Sequence, residues 1–196
     1  MRIHYVVVRA IVTFFFRKYC KLEILFPERF AFLNDLLKAH APVILVANHC
    51  SHLDHLVIGW VIAQLVAFFP LHYVAKRSLF EGKYRHRFSL WPFILRAFQA
   101  VPVSVPKLPS DPPIRKEEYA HVSRLLKEGK WIVIYPEGTR SESGEMGEFK
   151  LGIGAFAKKT GAAIVTGYIH GTYTSLPRGR AFPRRARIAF VCGDIL

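Results

Sequence analysis

The sequence is poor in acidic residues, in cysteine and in long uninterrupted apolar runs. Its 196 residues contain 14 Asp and Glu against 28 Lys and Arg, so the formal charge is +14. This imbalance favours a negatively charged partner. The three cysteines are odd in number and widely spaced, which argues against a disulfide framework or a paired-cysteine metal site and is typical of a reducing compartment.

The chain is nevertheless rich in apolar residues. It is 52% hydrophobic and 14% aromatic, a composition that excludes a disordered chain. Its length fits a single domain, and no internal repeat or Gly/Ser-rich linker divides it. Nucleic acid would satisfy the charge alone, whereas an anionic membrane surface would satisfy both the charge and the apolar content.

Residues 1–21 carry five basic side chains and no acid. Arg9 interrupts their apolar stretch, which is too short to cross a bilayer of about 30 Å and is followed by no small-residue cleavage site. Interleaved basic and aromatic residues predict a helix lying in the lipid interface, and a helix packed on the domain is the alternative. We assign residues 1–40 to an N-terminal membrane-associating helical segment and residues 41–196 to the main domain.

Strand and helix patterns alternate along the main domain. We predict strands over residues 41–47, 71–75, 101–105, 131–135, 162–168 and 187–192, and helices over residues 53–69, 113–128 and 150–160. Such alternation predicts an α/β domain with a mostly parallel or mixed central sheet flanked by helices, whose functional residues lie where strands end.

The first polar motif follows the strand over residues 41–47. Ser51 and Asp54 form a helix-capping signature that places the helix start near His52. A loop-to-helix corner there allows His49 to fold back toward Asp54. A carboxylate on one imidazole nitrogen fixes the tautomer and leaves the other nitrogen as a general base.

Three other interpretations of this segment stay open. His49 and Asp54 can be simple loop and capping residues. The Cys-x-His-x-Asp-His pattern over residues 50–55 is close to a zinc signature of the metallo-β-lactamase fold, although no later ligand segment follows. Ser51 or Cys50 as a nucleophile would need a strained turn that the sequence lacks.

The second polar motif follows the strand over residues 131–135. Gly138 permits close backbone approach, Thr139 adds a hydroxyl, and Arg140 supplies a planar fork for phosphate. Glu137 is expected to orient Arg140 or to accept a substrate hydroxyl. An ordinary β-turn with a surface salt bridge is the alternative.

Together the two motifs resemble the glycerolipid acyltransferase family, which contains the glycerol-3-phosphate and lysophosphatidate acyltransferases. The resemblance covers residues 41 to 193 and extends through three further segments: Tyr73-Val-Ala-Lys76, Phe149-Lys150-x-Gly152 and Gly161-Ala-Ala-Ile-Val165.

The resemblance implies roles for individual residues. His49 is implied as the general base and Asp54 as the group that orients it. The loop residues Glu137, Gly138, Thr139 and Arg140 are implied to bind the phosphate region of the acceptor, with Lys76 as an additional ligand. The family's usual Arg after the strand over residues 101–105 is replaced by Lys107, and its usual Pro by Thr166.

The implied function is a membrane-associated O-acyltransferase of phospholipid biosynthesis. It would move a fatty acyl group from acyl-CoA or acyl carrier protein to a lysophospholipid, 1-acylglycerol-3-phosphate above all, giving phosphatidate. Another lysophospholipid or glycerol-3-phosphate is the alternative acceptor, and a zinc hydrolase and a basic nucleic-acid-binding protein are more distant alternatives. We expect no cofactor, no metal and no nucleic-acid partner.

Three basic clusters with aromatic neighbours predict contact with anionic membrane lipids at the cytoplasmic face of an inner membrane or endomembrane. The first is residues 1–21. The others are Lys76, Arg77, Lys83, Arg85, Arg87, Arg96 and Lys107, and Arg178, Arg180, Arg184, Arg185 and Arg187.

Overall fold

Seven strands and five α-helices form the part of the chain that the computed structural model describes, residues 12–66, 71–80, 95–96, 99–104 and 115–196. The strands are β1 (Leu22–Leu25), β2 (Val43–Ala47), β3 (Leu71–Lys76), β4 (Ala100–Val103), β5 (Trp131–Ile134), β6 (Ala163–His170) and β7 (Ile188–Ile195). The helices are α1 (Leu33–Lys38), α2 (Leu53–Leu65), α3 (Lys116–Lys127), α4 (Gly152–Thr160) and α5 (Thr172–Ser175).

The strands form one mixed sheet in the order β1-β7-β6-β2-β5-β3-β4. Every neighbouring pair is parallel except β6 and β7, which are antiparallel. The α/β fold with a mixed central sheet is thus confirmed. Because β2 and β5 are adjacent and parallel, their carboxyl ends place the two polar motifs side by side.

Two apolar layers cover the sheet, one on each face. Alternate residues of β2 point to opposite layers: Val43 and Leu45 to one, Ile44 to the other. The first layer contains α2 and Phe16 of the N-terminal helical segment, and the second contains α3 and α4. Burial on both faces explains why β2 and β5 are almost uniformly apolar.

The first forty residues contribute to this sheet. β1 pairs in parallel with β7, from Leu22 opposite Ile188 to Leu25 opposite Val191. Upstream of β1, residues Phe15–Tyr19 form a π-helical turn. The division at residue 40 stays a prediction. The membrane-interface helix stays one as well, because residues 1–11 lie outside the described residues.

Within the described ranges, none of the helices is both long enough and apolar enough to cross a bilayer. Several predicted basic positions, Lys83, Arg85, Arg87 and Lys107, lie outside the described residues.

Candidate active site

Asn48 fixes the point where the chain leaves β2. Its side-chain amide donates to the carbonyl of Ile169 at 2.9 Å and accepts from the Ile169 amide at 2.7 Å. The buried side chain thereby continues the pairing of β2 with β6 after the β2 backbone has turned away. Two hydrogen bonds therefore fix the start of the following loop.

A capping arrangement makes the corner that the sequence predicts. The Ser51 hydroxyl accepts from the Leu53 amide at 3.1 Å and donates to the carbonyl of Leu176 at 2.7 Å. Asp54 in the first turn of α2 accepts from the amides of Cys50 and Ser51, each at 2.7 Å through Oδ2. The carboxylate accepts from two loop amides, and its negative charge interacts favourably with the N-terminus of α2.

His49 folds back onto this carboxylate. Its Nδ1 lies 2.8 Å from Asp54 Oδ2, the same oxygen that accepts the two amides. The Asp54 side chain is fully buried and the His49 side chain is 12% exposed. With a carboxylate at Nδ1, the neutral imidazole carries its proton there, so Nε2 is the nitrogen that can accept a proton.

An aromatic ring packs against the face of the His49 imidazole. The Tyr135 ring stacks on it with centroids 4.0 Å apart and planes 14° apart. Tyr135 Oη lies 3.1 Å from Nδ1 of His55, whose carbonyl accepts from Tyr73 Oη at 3.0 Å. Burial lowers the pKa of His55 well below its ordinary value, so the neutral ring can accept the Tyr135 hydroxyl.

The loop after β5 is tied directly to the His49 loop. The amide of Ser141 donates to the His49 carbonyl at 2.8 Å. Gly138 has a φ of +67°, which glycine adopts without strain, and its amide donates to the Tyr135 carbonyl at 3.1 Å. This turn brings Thr139 and the half-buried Arg140 to the same side as His49.

Glu137 lies behind this loop, with only 6% of its surface exposed. Among the described residues, neither carboxyl oxygen has a partner at hydrogen-bond geometry. Burial raises the pKa of Glu137 to about 7, nearby amides of His49 and Gly147 lower it in part, and the charge of Asp54 raises it further. The structure therefore places the Glu137 carboxyl inside the loop, away from its exposed face.

A cavity of about 770 Å³ opens in front of these loops. Of the predicted site residues, it is lined by His49, Lys76, Gly138, Thr139 and Arg140. Asp54 and Glu137 lie behind its wall, and Lys107 lies outside the described residues. The remaining wall is largely apolar, with Leu53, Leu56, Val74, Leu79, Ile153 and Phe156.

The two basic residues at the end of β3 have different surroundings. Lys76 lines the cavity. Arg77 forms an ion pair with the buried Glu118, which also accepts from the Ser104 amide at 2.7 Å. Burial opposes ionisation of Glu118, but these hydrogen bonds and the Arg77 charge leave its pKa below the ordinary value. Arg77 thus joins β3 to α3.

Two of the competing interpretations of the first motif, the zinc site and the nucleophile, find little support in the described residues. Over the ranges that the structure covers, no three or more His, Cys, Asp or Glu side chains are grouped so that they could hold a metal ion. Burial, with the charge of Asp54, raises the pKa of the Cys50 thiol to about 11, so it is a poor nucleophile at neutral pH. The Ser51 hydroxyl is bonded to backbone groups on both sides.

Comparison with known proteins decides the family. The family model described as Acyltransferase matches residues 30–170, well over half of the chain. The chain belongs to the Acyltransferase family. This confirms the family resemblance seen in the two motifs.

Individual relatives of this acyltransferase-family chain carry more specific names. It is 31% identical over 147 residues to the chloroplastic 1-acyl-sn-glycerol-3-phosphate acyltransferase LPAT1 of Arabidopsis thaliana, a match covering 75% of this chain and 37% of that protein. It is 32% identical over 125 residues to the 1-acyl-sn-glycerol-3-phosphate acyltransferase of Pseudomonas aeruginosa, covering 63% and 42%. The chain thus spans less than half the length of these curated relatives.

A solved structure shares the fold of this acyltransferase-family chain. The 1-acyl-sn-glycerophosphate acyltransferase PlsC from Thermotoga maritima superposes with a TM-score of 0.66 at 22% identity, covering all of this chain and 73% of that one.

The cavity also contains cations that the motifs do not include. Lys150 lies on its wall just before α4, and Arg178 and Arg180 reach it from the loop after α5. Lys150 belongs to a segment of the family resemblance, so the sequence offered a signal that could have identified it as a site residue. Arg178 and Arg180 belong to a basic run whose composition predicts lipid contact and gives no sign of proximity to His49.

Proposed function

We propose that this chain is a 1-acylglycerol-3-phosphate acyltransferase, which transfers a fatty acyl group from acyl-CoA or acyl carrier protein and produces phosphatidate. The observation that carries the proposal is the His49–Asp54 hydrogen bond at the wall of a cavity that also contains Lys76 and Arg140. The names of the Arabidopsis and Pseudomonas relatives support this acceptor.

In the proposed reaction the acceptor supplies the nucleophile. His49 Nε2 takes the proton of the free glycerol hydroxyl while that oxygen attacks the thioester carbonyl of the donor. The tetrahedral intermediate collapses, the carbon–sulfur bond breaks, and the imidazolium returns the proton to the leaving thiolate. Asp54 holds the ring in the required tautomer and stabilises the positive charge that develops on it.

The cationic side of the cavity is assigned to the acceptor phosphate. Arg140 offers two parallel donors and Lys76 a compact positive charge, both on the wall that contains His49. The backbone at Gly138 has no side chain to keep an anion away, and Thr139 adds a hydroxyl. We keep Lys107 and Glu137 as predicted further members of the acceptor-binding set.

The apolar part of the wall is assigned to the acyl chain. The alternative acceptors, glycerol-3-phosphate or another lysophospholipid, would use the same base and the same thioester chemistry. We also propose that the enzyme works at the cytoplasmic face of an inner membrane or endomembrane. The reaction as written uses no cofactor.

An acceptor screen tests this function. The purified chain is given labelled acyl-CoA, or acyl carrier protein in a parallel series, with lysophosphatidate, glycerol-3-phosphate or lysophosphatidylcholine. We expect labelled phosphatidate from lysophosphatidate at the highest rate, unchanged by a metal chelator. Labelling of none of the acceptors would overturn the proposal, and loss of turnover with the chelator would favour the zinc hydrolase interpretation.

A pair of histidine variants tests the base. His49→Ala should lower kcat by about 10²- to 10⁴-fold, because a positioned general base contributes that much. His170→Ala, at an exposed position in β6, is the matched control and should keep the wild-type rate. If His49→Ala kept turnover within about tenfold of wild type, His49 would not be the base.

A further inference from the structure

Two basic runs that are far apart in the sequence meet on the surface of the fold. The first is in the N-terminal helical segment and the second is the loop between α5 and β7. Tyr19 Oη donates to the carbonyl of Pro183 at 3.2 Å, and the Ile188 amide donates to the carbonyl of Cys20 at 3.2 Å. Cys20 Sγ also lies 3.8 Å from Ser175 Oγ. The two runs therefore form one continuous surface.

We call this surface the basic rim. Its exposed members are Phe14, Arg17, Lys18, Tyr19, Lys21, Arg178, Arg180, Phe182, Arg184, Arg185 and Arg187. Eight of them are basic, and the sequence contains no acid over residues 12–21 or 149–193. Glu142, from the neighbouring loop, pairs with Arg178. The rim is therefore a strongly positive surface with aromatic side chains among its charges.

The backbone of the loop is held independently of the exposed side chains. The amide of Arg184 donates to the Ser175 carbonyl at 2.8 Å, and the buried Ser175 hydroxyl donates to the Arg184 carbonyl at 2.7 Å. The rim also presents Phe182 with 79% and Phe14 with 68% of their surfaces exposed. Large exposed aromatic side chains among arginines are typical of surfaces that enter a lipid interface.

The rim borders the mouth of the cavity. Arg178 and Arg180 belong to the rim and also line the cavity that contains His49. We propose that the basic rim docks on an anionic bilayer and so places the cavity mouth against the lipid headgroups. This inference rests on the proposed function, because that function makes a membrane lipid the acceptor that enters the cavity. The cationic surface, the exposed rings and the apolar cavity behind them match a surface that is negative outside and apolar beneath.

Vesicle flotation of the full chain tests the proposal. The probe is phosphatidylcholine vesicles with or without phosphatidylglycerol, at low and physiological salt. The variant is Arg184→Gln with Arg185→Gln, because neither side chain lines the cavity. The control is Arg115→Gln with Arg124→Gln, two exposed arginines at α3, which packs on the other face of the sheet.

Each basic side chain near an anionic surface contributes roughly fivefold in affinity, so the rim variant should bind phosphatidylglycerol vesicles about thirtyfold more weakly. The control should bind like wild type. Binding should weaken with salt and require phosphatidylglycerol. Phe182→Ala should weaken binding at low salt as well, because it removes an inserted ring and no charge.

The outcomes separate this inference from the proposed function. Equal flotation of the rim variant, the control and wild type would overturn the docking surface, as would equal binding to uncharged vesicles or binding to RNA in place of vesicles. If wild type floats as expected but transfers no acyl group, the proposed function fails and the docking surface stands. Turnover of detergent-dispersed lysophosphatidate should be the same in the rim variant and wild type.

Discussion

Replacement of Glu137 by Gln should favour the folded protein more at alkaline pH than in mild acid. Glu137 is a buried carboxyl without a hydrogen-bond partner among the described residues. Burial raises its pKa to about 7 from an ordinary 4.5. Ionising this group in the folded protein therefore costs free energy that the unfolded chain does not incur.

The sign and size follow from proton binding. Between pH values near 4.5 and 7 the folded protein binds more protons at Glu137 than the unfolded chain does, so the free energy of unfolding falls as pH rises. Well above pH 7, where the carboxyl is ionised in the folded protein as well, the loss is complete and constant. At about 1.4 kcal/mol per pKa unit, the full loss is about 3 kcal/mol. The amide that replaces the carboxyl in Glu137→Gln does not titrate, so the variant avoids this loss.

The assay is urea unfolding of wild type and Glu137→Gln at about pH 5 and about pH 8. The difference in unfolding free energy should grow by roughly 2–3 kcal/mol between the two conditions, in favour of the variant at the higher pH. A fixed cost of burying the amide would appear at both pH values and cancel. Parallel pH profiles for the two proteins would refute a raised pKa at Glu137.

Three further substitutions test the site and its frame. Asp54→Asn keeps the shape but removes the charge that stabilises the His49 imidazolium, so kcat should fall about 10²- to 10⁴-fold with little change in KM; an unchanged kcat would contradict the role of Asp54. Tyr135→Phe leaves the Nδ1 atom of His55 without its hydroxyl partner and should cost about 1–3 kcal/mol in urea unfolding, with turnover reduced less than about tenfold because the ring stacking is kept. Gly171→Ala would drive Cβ into the Arg187 carbonyl oxygen at a φ of +84° and should lower the free energy of unfolding by more than about 1 kcal/mol, whereas Gly154→Ala, which meets nothing within 4 Å, should not destabilise α4.

Sequence reasoning succeeds for the His49 corner because the determinants are local. Ser51 and Asp54 are three residues apart, and a helix that starts between them brings the carboxylate onto the loop amides. The structure begins α2 at Leu53, one residue from the predicted start. The buried strands β2 and β5 are equally local, since four- and five-residue apolar runs bounded by polar loops leave few alternatives.

Features that depend on distant partners were not predictable in this way. β1 has four residues, and its strand conformation depends on pairing with β7, more than 160 positions later. The direction of β7 against β6 leaves no mark on the local pattern. In the sequence Asn48 looks like any polar loop residue, and its structural role depends on the hydrogen bonds to the distant Ile169. The positions of Arg178 and Arg180 were not predictable for the same reason. The sequence indicates their charge, and only the fold places them at the cavity.

The hydrogen bond between the Ser141 amide and the His49 carbonyl joins the loop after β5 to the loop after β2. The separation of the two polar loops is set by one strand spacing of about 4.8 Å between β2 and β5, and not by the chain that joins them. Lengthening a flexible connection costs only about 0.6 kcal/mol per doubling. Insertions between the strands can therefore alter which molecules reach the cavity while the two loops keep their distance. Changes in what the cavity admits are thus separable in evolution from changes in the His49 corner.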